Sequence, residues 1–160
     1  VLSLPQGGAQ HLEARMKISD CMTRDVQLAN PEMTLRDAAK LMAKCDSGVL
    51  PVGENDRLVG ILTDRDIAIR GIAEGKGPDA KVRQAMSSDV RWCYEDENID
   101  GVLRRLGDEQ IRRMPVLSRN KRLVGIVALA DLTINAQPQQ TGATLSAISR
   151  HGGQHSQALH

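Results

Sequence analysis

Two hydrophobic periods alternate along the chain, and the same succession of them occurs twice. Leu35, Ala38, Ala39 and Met42 fall at i, i+3, i+4 and i+7, the spacing of one helix face. Thr34 precedes that face as an N-cap, with Asp37 three residues on to reach back. Two short apolar runs follow, Gly48-Val49-Leu50-Pro51-Val52 and Leu58-Val59-Gly60-Ile61-Leu62, on either side of the polar Gly53-Glu54-Asn55-Asp56-Arg57. That pattern predicts strand, turn and strand. An extended stretch near Val26 to Leu28 opens the succession, and a helix from Asp64 to about Ile72 closes it. In the second copy Asn98 is the cap, and Ile99, Val102, Leu103 and Leu106 form the face. Met114-Pro115-Val116-Leu117, the turn Ser118 to Arg122 and Leu123-Val124-Gly125-Ile126-Val127 come next, then a helix from Leu129 to about Asn135, stopped before Pro138. The predicted order is strand, helix, strand, strand, helix, twice.

The copies align residue by residue, as duplicated modules do. At an offset of 64, Met22 pairs with Met86, Val26 with Val90, Leu35 with Ile99, Met42 with Leu106 and Pro51 with Pro115. One inserted residue in a turn shifts the offset to 65, so that Leu58-Val59-Gly60-Ile61 matches Leu123-Val124-Gly125-Ile126 and Asp66 matches Asp131. The expected modules are residues 16–73 and 81–136, joined by a Gly- and Pro-containing linker from Gly71 to Ala80. Pro51 and Pro115 lack an amide donor, which places their strands at an edge or makes them irregular there.

Composition narrows the function classes. The 160 residues are 41% hydrophobic, with a mean hydropathy of -0.32, and the apolar runs fall far short of the roughly 20 residues of a membrane span. Trp92 and Tyr94 are the only aromatic residues. The core is therefore aliphatic, and a stacking platform for single-stranded nucleic acid is not expected. Lys and Arg total 21 against 20 Asp and Glu, a balance that argues against a dedicated polyanion binder. Cys21, Cys45 and Cys93 are odd in number and lack CxxC spacing, and the opening residues do not read as a secretory leader, so a reduced, cytoplasmic protein is expected. Beyond Ala136 the chain turns to Gln, Ser, Gly, Thr and His; Thr141 to Ser149 reads as a short helix and His151 to His160 as disordered. His151 and His155 flank a glycine pair, a poor frame for a metal site.

Candidate chemistry lies at the end of each strand pair. A helix beginning after Thr63 presents free amides and a positive dipole end to a phosphate. The Thr63 hydroxyl can donate to phosphate or ribose, Asp66 can accept from two ribose hydroxyls, and Arg65 supplies positive charge. Val49, Leu50 and Ile61 offer apolar walls for an adenine. Thr63-x-x-Asp66 is equally a capping box that needs no ligand. In the second copy Asp131 is kept, but Ala128 stands where Thr63 would, which makes the second site the weaker one. A basic constellation runs from Arg104 to Arg122, with seven cationic residues against Asp108 and Glu109, and includes Arg112-Arg113 just before the strand at Met114. A solvated charged face is the alternative reading of it. No nucleophile elbow or Cys/His arrangement favours an enzyme, and no helix-turn-helix or zinc finger favours nucleic acid.

These residues carry a resemblance. The paired units ending Gly60-Ile61-Leu62-Thr63-Asp64-Arg65-Asp66 and Gly125-Ile126-Val127-Ala128-Leu129-Ala130-Asp131 resemble tandem CBS domains, over roughly residues 16 to 136. The resemblance implies an α/β fold, a CBS-domain pair of two βαββα modules packed sheet to sheet with pseudo-two-fold symmetry. It implies a regulatory, ligand-sensing protein with clefts for an adenine nucleotide (AMP, ADP or ATP, magnesium accompanying ATP), no required cofactor and no catalysis. By matching motif positions, the nucleotide-binding residues implied are Val49, Leu50, Pro51, Ile61, Thr63, Arg65, Asp66, Arg112, Arg113, Pro115, Ile126 and Asp131. A homodimer formed through helix faces containing Ala38, Ala39, Val102 and Leu103 is expected, together with a regulated protein partner and no membrane. The alternative is a structural dimerisation module whose nucleotide clefts are empty or non-functional.

Overall fold

The computed structural model of the chain describes residues 16–134 and 138–149. The tail expected to be disordered, residues 151–160, and all four histidines lie outside the described residues. Among the described residues the strands and α-helices run in the order α1 (Leu35–Cys45), β1 (Val49–Glu54), β2 (Arg57–Thr63), α2 (Asp64–Asp66) running into a π-helix (Ile67–Ile72), β3 (Cys93–Tyr94), α3 (Ile99–Glu109), β4 (Arg113–Leu117), β5 (Leu123–Ala128), α4 (Leu129–Thr133) and α5 (Pro138–Ile148). Short 3-10 turns stand at Ile18–Asp20 and Val82–Gln84, which are the same position in the two repeats. The chain forms two compact units, one of residues 25–91 with 119–123, the other of 16–24, 92–118 and the remainder from Val124.

In the first of these, the Thr34 hydroxyl accepts from the Asp37 amide at 3.1 Å and starts α1. Leu35, Ala38 and Met42 turn into a core with Leu50, Val52, Leu62, Val82 and Ala85. Ala39, expected on that face, is exposed. β1 and β2 pair antiparallel, Leu50 opposite Leu62 and Pro51 opposite Ile61. The expected five-residue turn shrinks to two residues, because Asn55 and Asp56 both take positive φ (54° and 61°), the geometry of the tight hairpin turns that match strand twist. Pro51 costs this hairpin nothing. The Ala29 amide donates to the Pro51 carbonyl and the Gly53 amide donates to the Ala29 carbonyl, so the missing Pro51 donor faces Ala29 and not β2.

The other unit has a three-stranded sheet, β3-β4-β5, with α3 burying Ile99, Val102, Leu103 and Leu106. Pro115 lies in the middle strand, but β3 pairs only with Val116 and Leu117, so the missing donor falls just outside the paired stretch. Here the leading strand forms, with the Glu95 amide donating to the Leu117 carbonyl at 2.9 Å. Its counterpart in the first repeat is Pro31, which has no amide proton to give. The strand expected near Val26 to Leu28 accordingly reduces to a single parallel bridge between Ala29 and Val52. α5 begins at Pro138, whose fixed φ suits a first helical position, and packs on α3. The buried Thr144 hydroxyl donates to the Leu103 carbonyl at 3.1 Å, and the Gln110 side-chain amide donates to the Ala147 carbonyl at 3.1 Å.

Each unit is completed by the opening segment of the other repeat. Thr23 and Ile126 exchange two backbone hydrogen bonds of 2.9 Å, and Ile61 and Ser87 exchange the same two at the same length. Met22 lies over Gly125, where a Cβ would stand 2.7 Å from the methionine sulfur and 2.8 Å from the Thr23 carbonyl. Met86 lies over Gly60, where the corresponding separations are both 2.9 Å, to the sulfur and to the Ser87 carbonyl. These strand glycines mark a close backbone approach. Glu32 ties residues Lys81 and Arg83 of one such segment to the loop before α1, and those two cations hold its carboxyl below the usual range.

Candidate functional site

The strand-to-helix junction at Thr63 is built by β2 delivering its last residue into the first turn of α2. The Thr63 hydroxyl accepts from the Asp66 amide at 3.0 Å, and the Asp66 carboxylate Oδ2 accepts from the Thr63 amide at 2.9 Å. The capping box is therefore complete without a ligand. It does not exhaust either side chain. A carboxylate can accept on both oxygens and a hydroxyl still carries its proton, so Asp66 Oδ1 and the Thr63 hydroxyl hydrogen are not used by the box. Asp66 and Thr63 are half-buried and Arg65 is exposed.

Around this junction the unit gathers Val49, opposite Thr63 in the β1-β2 ladder, Pro51 and Ile61. Val49 and Ile61 are half-buried and present some surface, whereas Pro51 is buried. Leu50 is 1% exposed and belongs to the core, so the apolar surface beside Thr63 comes from Val49 and Ile61. Ile61 is also the residue that holds Ser87, which brings that hydroxyl residue to the flank of the site.

The second unit repeats the backbone arrangement with different side chains. The Leu129 amide donates to the Arg112 carbonyl at 2.8 Å, as the Asp64 amide does to the Gly48 carbonyl at 2.9 Å. The Asp131 carboxylate accepts from the Ala128 amide at 3.3 Å. Ala128 has no hydroxyl to complete the box, and α4 begins with half a cap. Arg112 and Arg113 are exposed, Pro115 is buried in β4, and half-buried Ile126 holds Thr23. Within the basic constellation, Arg105 pairs with Glu97 at 3.1 Å and Arg122 with Asp56 at 3.1 Å.

Sequence reasoning missed Gly48 and Asp64. A Cβ on Gly48 would stand 2.6 Å from Asp64 Oδ2, so the two residues are sterically coupled. The available signal was the alignment of Gly48 with Arg112, which passed as a strand start. Among the described residues no group of three or more His, Cys, Asp and Glu comes together to hold a metal ion. No described helix is long and apolar enough to cross a membrane. Cys93 is buried, which pushes its thiol up to about 12, with Glu97 adding to the effect; Cys21 and Cys45 are half-buried, and none of the three is in a disulfide.

Comparison with known proteins places these features in a family. The Bacillus subtilis (strain 168) protein YlbB is 40% identical over 136 residues, 83% of this chain and 91% of that protein. The crystal structure of hypoxic response protein I with two coordinated zinc ions is similar at 36% identity and a TM-score of 0.69, covering 76% of this chain and all of that one. The CBS domain pair of protein MJ0100, solved in complex with 5-methylthioadenosine and S-adenosyl-L-methionine, is similar at 28% identity and a TM-score of 0.66, over 74% of this chain and 94% of that one. The CBS domain profile matches residues 18–70 and again residues 82–135. With two matches in tandem, and the βαββα order formed in the second repeat and kept in the first except for its leading strand, the chain belongs to the CBS domain family as a domain pair.

Proposed function

We propose that this CBS pair is a regulatory, ligand-sensing protein that binds an adenine nucleotide at its strand-to-helix motifs and signals its occupancy to a protein partner. The observation that carries the reading is the likeness to the MJ0100 pair, whose structure holds two adenosyl compounds, joined to the pre-oriented Thr63 and Asp66 of this chain. Asp66 Oδ1 accepts from the ribose hydroxyls, the Thr63 hydroxyl donates to ribose or phosphate, and Val49 and Ile61 flank the adenine. Titration calorimetry of the ligand-stripped chain with AMP, ADP, ATP plus magnesium, NAD and S-adenosylmethionine tests this. Saturable heat with at least one adenylate is expected.

A structural dimerisation module is the second reading. It is favoured by a specific observation: the Thr63-Asp66 box is satisfied within the protein. Absence of binding by all five compounds would establish it in place of sensing. Both readings include a two-fold homodimer. Ala38, Val102 and Leu103 are buried within their own units, which leaves the exposed isoleucines as the support for association. Ile69 and Ile134 occupy the same position in the two repeats and are 49% and 82% exposed, and Ile72 is 72% exposed. Light scattering coupled to size exclusion should give about twice the 17.4 kDa chain mass; a monomer at micromolar concentration would remove the dimer from the proposal.

A further inference from the structure

α5 covers one of two equivalent helix faces. It lies on α3 along Leu103, Gly107 and Gln110. The Thr144 hydroxyl donates to the Leu103 carbonyl at 3.1 Å, and the Gln110 side-chain amide donates to the Ala147 carbonyl at 3.1 Å. Between them, a Cβ on Gly107 would stand 3.3 Å from Thr144 Cα and 3.4 Å from Ala147 Cβ. The repeat offset of 64 maps these positions onto Ala39, Ala43 and Asp46 of α1, and all three are exposed. α5 itself lies beyond residue 135, where the second CBS match ends, so the cover is an addition to the repeat and not a part of it.

α5 is held by shape and not by charge. From Pro138 to Ile148 it has no charged residue, and it turns the small residues Thr144 and Ala147 toward Gly107. The Thr141 hydroxyl oxygen is buried without a hydrogen-bond partner, which weakens the hold. Beside the covered face, α3 carries Asp100, Arg104 and Asp108 at successive turns; beside the bare face, α1 carries Arg36, Lys40 and Lys44 at the matching positions. Aligned in register in either direction, an α1 row and an α3 row bring together two opposite-charge pairs and one like pair. Two α1 rows, or two α3 rows, aligned the same way bring together like charges alone.

We propose that α5 is an assembly guard: by occupying the outer face of α3, it keeps that face from docking the bare α1 face of a second copy. Ala39 and Ala43 give α1 a small surface to set beside Leu103 and Gly107, and Arg36, Lys40 and Lys44 supply the charge match that α5 lacks. Such a contact is heterologous. It leaves the α3 of one chain and the α1 of the other open, so copies would keep adding unless the rotation closed a ring. The proposal concerns a different face from the exposed isoleucines and is independent of what fills the strand-to-helix motifs.

The test releases α5 in the full chain. Thr144→Glu sets a carboxylate against Gly107, and Gly142→Pro, at a position whose Cβ meets nothing within 4 Å, breaks α5 without touching α3. Either variant serves if the other fails to fold, as judged by its thermal transition. Hydrogen exchange should show the amides of residues 141–148 losing protection. Light scattering should show a mass at least about twice the parent's at the same micromolar concentration, falling back as salt rises. Adding Lys40→Glu/Lys44→Glu, both exposed, should return the released chain to the parent's mass and leave the parent itself unchanged. Release of α5 with the parent's mass overturns the guard, and so does a larger species indifferent to salt and to the α1 charges, which marks only a bared apolar surface. Protection of residues 141–148 retained in both variants refutes the packing on which the proposal stands.

Discussion

Adding one methyl group at Gly125 should unlatch the opening segment of the chain. The substituent would stand 2.7 Å from the Met22 sulfur and 2.8 Å from the Thr23 carbonyl oxygen. The sulfur ends a flexible side chain and can swing away at little cost. The carbonyl is backbone, fixed by the two 2.9 Å bonds between Thr23 and Ile126, and it cannot move without stretching them. Two such bonds have a net worth of about 1 kcal/mol each, and overpacking a tight contact costs about 1–3 kcal/mol. Gly125→Ala should therefore destabilise the chain by about 1–3 kcal/mol, and Gly60→Ala, with both separations at 2.9 Å, by a similar or slightly smaller amount. Gly101→Ala is the control: nothing lies within 4 Å of its Cβ position, and in α3 alanine should stabilise by up to about 1 kcal/mol. Urea unfolding gives the three free energies, and amide hydrogen exchange at Thr23, Ile126, Ile61 and Ser87 shows which bridge has opened. If Gly125→Ala matches the parent within about 0.5 kcal/mol and keeps Thr23 and Ile126 protected, the close approach does not hold the segment and the reasoning fails.

Further consequences follow from single side chains. Thr144→Val removes the hydroxyl bond to the Leu103 carbonyl and should lower the melting temperature at a cost of about 1 kcal/mol, whereas Thr141→Val, whose buried hydroxyl has no partner, should be neutral or stabilising; equal losses in both would contradict the assignment. The Glu32 carboxyl is held low by Lys81 and Arg83, so its contribution is present above its ordinary range and lost as pH falls through the depressed value. Acid titration followed by hydrogen exchange should accordingly show residues 81–85 loosening as pH falls through that depressed value, and Glu32→Gln should abolish that step. Cys93 behaves with the opposite sign: its raised value of about 12 keeps the neutral thiol in the fold, and the stability it lends below its ordinary value near 9 is lost as pH rises toward 12. Thiol-reactive reagents at neutral pH should label Cys21 and Cys45 and spare Cys93 until the chain unfolds; rapid labelling of all three in the native protein would refute its burial.

The parts of the fold that were legible in the sequence are those where side-chain period and burial coincide. Leu35, Ala38 and Met42, and Ile99, Val102, Leu103 and Leu106, declared their helices because each face meets a core. Ala39 was misplaced because alanine is apolar enough to fit the stripe and small enough to stand in water. The first hairpin was tighter than its polar stretch suggested, since Asn55 and Asp56 accept positive φ and let Glu54 and Arg57 join the ladder. The opening strand of the first repeat failed at Pro31, a residue visible in the sequence whose effect depended on knowing that its counterpart, Glu95, donates at that point. At the candidate site, Thr63 and Asp66 were readable as a spacing, and their mutual bonds follow from it. The Gly48-Asp64 coupling was not, because periodicity carries no information about which residues meet across a junction.

The reciprocal docking of Met22-Thr23 and Met86-Ser87 separates the unit of duplication from the unit of folding. A repeat excised at the boundaries of its own sequence carries away a segment whose docking partner stays behind, and leaves its own glycine strand uncovered. A duplication that copied both repeats together would transmit an intact pair, whereas the loss of either half would strand the other with a bare strand flank. The two halves are thereby obliged to be inherited together, and a change at Gly60 or Gly125 in one repeat is felt through the methionine that the other supplies.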